Sequence, residues 1–207
     1  VFKNCIIGTL RLPQKSEQRS PQLSFGFYLT GQSLLFVEDV GDLKLWVDKR
    51  IGMLQELNSP AQLLLQFMEQ MIEDDVLYLS HIESETEKME ENIGSGGSTD
   101  FFPLLTKRRQ KLSELNAYYE QLTDIGELFQ SRACSPFAND TQDWDKFTHR
   151  VERLQNHVKL LRENMLQLRE LYQSKQDARQ NKIMGILTIV TTFFLPLTLI
   201  TGWYGMN

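Results

Sequence analysis

RENMLQLRELYQSKQDARQNKIMGILTIVTTFFLPLTLITGWYGMN, Arg162 to Asn207, is the stretch that decides the fold. It begins as a charged amphipathic helix and turns apolar without a breaker. From Ile183 to Asn207 the only ionisable side chain is that of Tyr204. A helix crosses a hydrocarbon core with about 20 apolar residues, so the run predicts a transmembrane helix. It is too long and too late in the chain to be a signal peptide. Pro196 lies inside it, where a missing N–H and a ring clash bend a helix unless neighbours accommodate them. Two readings of that proline stand: it flares the outer mouth, or it is a tolerated kink. Trp203 and Tyr204 fit an interfacial aromatic belt. Lys175, Arg179 and Lys182 on the other side place the large N-terminal part in the cytosol by the positive-inside tendency.

Upstream, helical pattern runs back without a breaker to the loop Ser131 to Thr141. Trp144, Phe147, Val151, Leu154, Val158, Leu161, Met165, Leu168 and Tyr172 recur in threes and fours, a sustained heptad stripe. One helix is therefore expected to run from the cytosol into the membrane. A second stripe has the opposite chemistry. From the membrane end it reads Gly205, Gly202, Thr198, Leu195, Thr191, Thr188 or Leu187, Met184, Asn181, Asp177, Ser174, Glu170, Gln167 and Glu163. A lipid-facing side does not favour repeated hydroxyls, and a coiled-coil seam does not favour central carboxylates. Several copies around an axis would make the stripe a water-filled, oxygen-lined conduit narrowing at Met184, Leu187 and Leu195. The alternative is that Thr188, Thr191 and Thr198 bond to carbonyls one turn back while the acids form a solvated face. The residues alone leave the two readings level.

Composition averages two unlike halves: 207 residues, 24% charged and 41% hydrophobic. A net charge of −5 argues against nucleic-acid binding and suits cations better. Cys5 and Cys134 lie far apart, and His81, His149 and His157 form no ligand spacing. Both cysteines are read as reduced and cytosolic, without a structural zinc site. No nucleophile, base or metal constellation points to an enzyme. The chain starts at Val1 and stops on a motif, so it reads as a fragment with a shortened N-terminal part.

The expected fold is α+β and mainly α. Phe2 to Leu12, Leu23 to Leu29 and Leu34 to Val37 read as strands between turn residues, and Gly41 to Leu57 as an irregular helix. Ser59-Pro60 starts a long helix to about Asn92, Ser as cap and Pro at the first helical position. Gly94 to Thr99 is a turn, and Asp100 caps a second helix from Phe101 to Phe129. The expected organisation is a partial cytosolic α/β domain over 1–57, an antiparallel helical hairpin over 58–135 and a stalk helix over 136–182. A transmembrane helix over 183–204 and the start of an extracytoplasmic loop over 205–207 complete it.

Asn181-Lys-Ile-Met184, Leu187-Thr-Ile189, Phe194-Leu-Pro-Leu-Thr198 and Gly202-Trp-Tyr-Gly-Met-Asn207 together resemble the first transmembrane helix and signature loop of the CorA family of divalent-cation transporters. The resemblance implies a homopentamer in a plasma, inner or organelle membrane, with two membrane helices per subunit, of which this sequence holds one. It implies that Gly205, Met206 and Asn207 form the ion entrance, Asn181 an inner polar ring, and Met184 and Leu187 a hydrophobic gate. Thr191, Leu195, Thr198 and Gly202 would line the path between them. It further implies transported Mg²⁺, with Co²⁺ or Ni²⁺ as secondary ions, and closure when cytosolic Mg²⁺ occupies acidic sites between subunits. Asp143 and Asp145 resemble one such place; the alternative is that they complement the helix N-terminus. Mg²⁺ demands octahedral oxygen coordination and gives up water reluctantly, so an amide ring suits the hydrated ion. Glu163, Glu170 and Asp177 suit concentration of cations in the stalk. Two other functions stay open: a zinc transporter of the ZntB type, and a single-span signalling or scaffold protein with a dimeric coiled coil.

Overall fold

The computed structural model describes residues 5–15, 23–39, 42–50, 59–95, 101–131 and 141–205. Three strands, β1 (Ile6–Arg11), β2 (Ser24–Leu29) and β3 (Leu34–Val37), form one antiparallel sheet in the order β1-β2-β3. Alternation along each strand turns Ile6, Leu10, Phe25, Phe27 and Leu29 to the buried face. Ile7, Tyr28, Leu35 and Val37 occupy the exposed one. Helix α2 (Pro60–Met71) docks on the buried face, and α1 (Asp42–Arg50) packs against α2 through Trp46. Phe67 of α2 is the centre of that contact, with ring centroids 4.5 Å from Phe36, 5.1 Å from Trp46 and 5.5 Å from Phe25. The Glu38 carboxylate accepts from the N–H groups of Leu43 and Lys44 at 2.7 and 3.1 Å, a negative group at the positive end of α1. The second half of the helix expected over Gly41 to Leu57 lies outside the described residues.

Ser59 caps α2 as expected, its hydroxyl accepting from the Gln62 N–H at 3.2 Å with Pro60 following. The single helix expected from there to Asn92 is corrected. It is two helices, α2 and α3 (Asp75–Ser95), separated by a turn over 72–74. Ile72 sits at φ −105°, ψ 3°, its N–H bonded to the Glu69 carbonyl, and the Asp75 N–H reaches the Ile72 carbonyl at 3.2 Å. The cause is Asp75, which is wholly buried. Its carboxylate pairs with the Lys15 ammonium and accepts from the Tyr119 hydroxyl at 2.9 Å, while Lys15 also donates to the Met71 carbonyl at 2.7 Å. A buried carboxylate is tolerable only when paired, and restarting the helix at Asp75 places it at a helix N-terminus as well. No glycine or proline marks the break.

Helix α4 (Phe101–Gln130) and helix α5 (Thr141–Gly205) run antiparallel, and α4 lies closer to α5 than α3 does. Phe101 stacks on Tyr172 at one end (4.3 Å, 9°) and Phe129 on Trp144 at the other (4.1 Å, 7°), which sets the register over the whole length. Between these clamps Leu112, Leu115 and Leu122 bury against the apolar stripe of α5. Gly126 is required at its position, because a Cβ there would collide with the Thr148 hydroxyl. Thr148 in turn accepts from Gln130 at 2.8 Å and donates to the Trp144 carbonyl. Helices α3 and α4 meet through Asp75 and Tyr119 and through an ion pair of Glu85 with Arg108 at 2.6 Å. Of the turn expected over Gly94 to Thr99, Gly94 and Ser95 instead belong to the last turn of α3, while residues 96–99, the cap Asp100 and Cys134 lie outside the described residues; Cys5 is a free, half-buried thiol. The fold is the expected one in class: mainly helical, with a small N-terminal sheet and a long C-terminal helix.

Candidate pore-lining face

Helix α5 is continuous for 65 residues, about 98 Å at 1.5 Å per residue. It passes through Pro196 without ending. Its two predicted stripes separate onto opposite sides. Trp144, Phe147, Val151, Leu154, Val158, Leu161, Met165 and Leu168 are all buried and Tyr172 half-buried, so the heptad stripe is the face that α4 and its neighbours cover. From Gln173 to Gly205 every residue is exposed. That includes an apolar stretch in which Phe193 and Leu199 are each 69% exposed. A core helix of a soluble protein of this hydrophobicity would be mostly buried, whereas this segment has the length and composition of a membrane span and nothing of its own chain around it.

The second stripe occupies the free side. Glu163, Glu170, Asp177 and Asn181, then Met184, Leu187, Thr191, Leu195, Thr198, Gly202 and Gly205, all lie on α5 and all are exposed. At 100° per residue they stay within about a third of the circumference, drifting slowly as the helix rises. Four of them, Thr191, Leu195, Thr198 and Gly202, share one open, mainly apolar surface with Phe194, Leu199 and Trp203. Pro196 is not part of its lining. Added Cβ atoms at Gly202 and Gly205 would meet nothing within 4 Å, so the stripe is open at its upper end. Met206 and Asn207 lie outside the described residues.

The threonine hydroxyls have defined partners. Thr188 donates to the Met184 carbonyl at 2.8 Å, Thr191 to Leu187 at 3.0 Å, and Thr198 to Phe194 at 2.8 Å. Thr192 and Thr201, which the periodic series did not include, do the same toward Thr188 and Leu197. The back-bonding alternative is therefore what the protons do, and it does not exclude a conduit. A hydroxyl whose single proton is committed to the backbone keeps both lone pairs for an outside donor. Such a surface accepts hydrogen bonds and offers none, which suits the water shell of a cation.

At the cytosolic end, Asp143 pairs with Lys146 at 2.7 Å within the first turn of α5. Asp145 lies 3.6 Å from His149, which also bonds Glu152 at 3.0 Å. The Glu152 bond first, and Asp145 second, hold the His149 imidazolium above its usual range. Each of the two aspartates thus engages a cationic or titratable partner on its own helix. Among the described residues no three His, Cys, Asp or Glu side chains converge as a metal-holding group. The Lys15–Asp75–Tyr119 network and the Glu85–Arg108 pair were not read from the sequence. Their only signals were a lone lysine in a turn-rich segment and a Glu-Asp-Asp run at 73–75.

The description "CorA-like Mg²⁺ transporter protein" matches this chain over residues 1–207. The chain is 25% identical over 180 residues to the cobalt/magnesium transport protein CorA of Thermotoga maritima, covering 84% of this chain and 51% of that protein. It is 30% identical over 132 residues to the divalent cation transporter CmaX of Pseudomonas aeruginosa, covering 62% of this chain and 40% of that one. The chain thus spans about half the length, or less, of these relatives. Among solved structures, the complete CorA magnesium transporter of Methanocaldococcus jannaschii superposes with a TM-score of 0.81 at 20% identity, over 99% of this chain and 66% of its own. That likeness speaks for the fold.

Proposed function

The chain belongs to the CorA-like Mg²⁺ transporter family, and from that premise we propose that it is the pore-lining part of a homopentameric, channel-like magnesium transporter. Members of this family are integral membrane transporters with a cytoplasmic N-terminal part, not enzymes, and α5 supplies a span here. The observation that carries the proposal is the separation of faces on α5: the apolar stripe is consumed by packing, and the oxygen-bearing stripe is left exposed from Glu163 to Gly205.

In the proposed mechanism the stripe faces the axis. Gly205, Met206 and Asn207 form the entrance, where the Asn207 amide oxygens accept hydrogen bonds from water that Mg²⁺ keeps. The ion descends past Thr198 and Thr191, whose outward lone pairs serve the same hydrated species. Met184 and Leu187 make an apolar constriction that can gate by dewetting, and Asn181 receives the ion below it. Glu163, Glu170 and Asp177 raise the local cation concentration in the stalk. Asp143 and Asp145 are proposed as part of a regulatory cation site completed between subunits. Residues 1–57, 58–135 and 136–182 form the cytosolic α/β, hairpin and stalk regions, and 183–204 the span. Co²⁺ and Ni²⁺ are the expected secondary ions, since an amide entrance reads the hydrate more than the metal.

The test is flux into liposomes carrying the full-length protein. Mg²⁺ uptake is expected, with loss on Asn207→Ala. Unchanged uptake in that variant would remove the entrance assignment, and Zn²⁺ uptake exceeding Mg²⁺ uptake would move the chain to the zinc-transporter reading.

A further inference from the structure

The free face of α5 at Glu163, Gln167 and Glu170 is bordered on both sides at one level by grooves of opposite charge. Between α4 and α5 a groove of about 300 Å³ is lined by Arg109, Arg162, Ser113 and Leu166. Between α3 and α5 another, of about 420 Å³, is lined by Glu83, Glu87, Glu90 and Asn164. At 100° per residue, Arg162 and Asn164 stand about a quarter turn to either side of Glu163, so the two grooves are the two flanks of one face. Arg109, Arg162, Glu87 and Glu90 are exposed, and none of them forms an ion pair among the described residues. Each flank also carries an exposed leucine, Leu166 at 46% on the basic side and Leu160 at 50% on the acidic side.

We propose that these flanks are the two halves of one head-to-tail contact between copies of this chain, Arg109 and Arg162 of one copy meeting Glu87 and Glu90 of the next. The proposal rests on the pore reading, because turning the oxygen face toward a common axis is what sets each copy's basic flank against its neighbour's acidic flank. A two-fold contact of either flank with itself would oppose like charges. A head-to-tail contact of this kind closes into a ring when its rotation divides the full circle, as copies arranged about one pore axis require. Charges so placed select the ring and its register, and exclude face-to-face dimers, more than they add affinity. Closing the contact also covers Leu160 and Leu166.

The experiment uses the full-length protein in lipid nanodiscs, with Cys5 and Cys134 replaced by serine, and reads the oligomer mass alongside cross-linking. With Arg162→Cys and Glu87→Cys in one chain, a short bis-maleimide is expected to give a ladder of linked species up to the complete ring. A mixture of the two single variants should stop at dimers. An oligomer of ring mass without a ladder overturns the flank contact and leaves the pore reading standing. A monomer by mass overturns both. Independently, Arg109→Glu with Arg162→Glu should lower the ring fraction at least tenfold, and adding Glu87→Lys with Glu90→Lys should restore it. A ring fraction unaffected by the first pair, or not restored by the second, overturns the contact.

Discussion

Asp75→Ala should destabilise the soluble part of the protein by about 3–5 kcal/mol, the range for removing one partner of a buried ion pair. The Asp75 side chain is wholly buried and that of Lys15 only 25% exposed, so little solvent is available to the stranded ammonium. Tyr119→Phe removes a single hydrogen bond, 2.9 Å long, to a charged acceptor, and should cost about 1.5–3 kcal/mol. Replacing both ionic partners, Lys15→Met with Asp75→Leu, removes the desolvated charges together and should recover part of the loss, the Tyr119 hydroxyl still being left without its acceptor. The assay is a thermal melt of the full-length protein in detergent, followed by far-ultraviolet circular dichroism, for the wild type, the four single variants Asp75→Ala, Tyr119→Phe, Lys15→Met and Asp75→Leu, and the double variant. The order Asp75→Ala worst, with Tyr119→Phe and the double variant between it and the wild type, is the signature of the network. A loss below about 1 kcal/mol for Asp75→Ala, or a double variant as unstable as the sum of its parts, would refute the reasoning that this carboxylate holds the sheet, α3 and α4 together.

Gly126→Val should destabilise by about 1–3 kcal/mol through overpacking against Thr148, with Thr148→Ala partly relieving it; a melting series with the double variant checks this. His149 should titrate above the ordinary histidine value, and Glu152→Gln should bring it down, as read by NMR of the imidazole protons. Because its folded value is raised, any stability it lends is complete below the unfolded value and fades as pH rises through the folded one. Thr198→Val keeps shape but removes the outward lone pairs, so Mg²⁺ flux into liposomes should fall while Thr198→Ser holds it; equal flux in both variants would mean that Thr198 only serves its own helix.

The features legible in the sequence were those carried by period and by local chemistry. The stripe from Trp144 to Leu168 is buried because recurrence in threes and fours puts those side chains on one face whatever lies opposite. Ser59-Pro60 acts within one turn of itself, and the strand alternation acts within one sheet. The break after Met71 was not legible, since it answers to Lys15 and Tyr119, remote in the chain and brought together only by the fold. Gly126 likewise has meaning only opposite Thr148. Of the candidate site, the exposed face could be read from the helix, but the donor state of each threonine could not, because a hydroxyl's choice between backbone and solvent depends on rotamer. The aspartates at 143 and 145 could be placed at a helix start but not assigned their partners, Lys146 and His149.

The unbroken length of α5 has a mechanical meaning. From Gln173, where the packed part ends, to Gly205 the helix projects about 50 Å as a single rod. A tilt of about 5° at its clamped base, where Phe101 grips Tyr172, carries the far tip sideways by about 4 Å, more than the diameter of a water molecule. A rod of this kind works as a lever pivoting near Tyr172, with about 48 Å of packed helix on one side and about 50 Å of free helix on the other. A small tilt produced by repacking between α3, α4 and α5 is carried undiminished to the span, and the Phe101–Tyr172 stack is the last aromatic contact that holds the base against it.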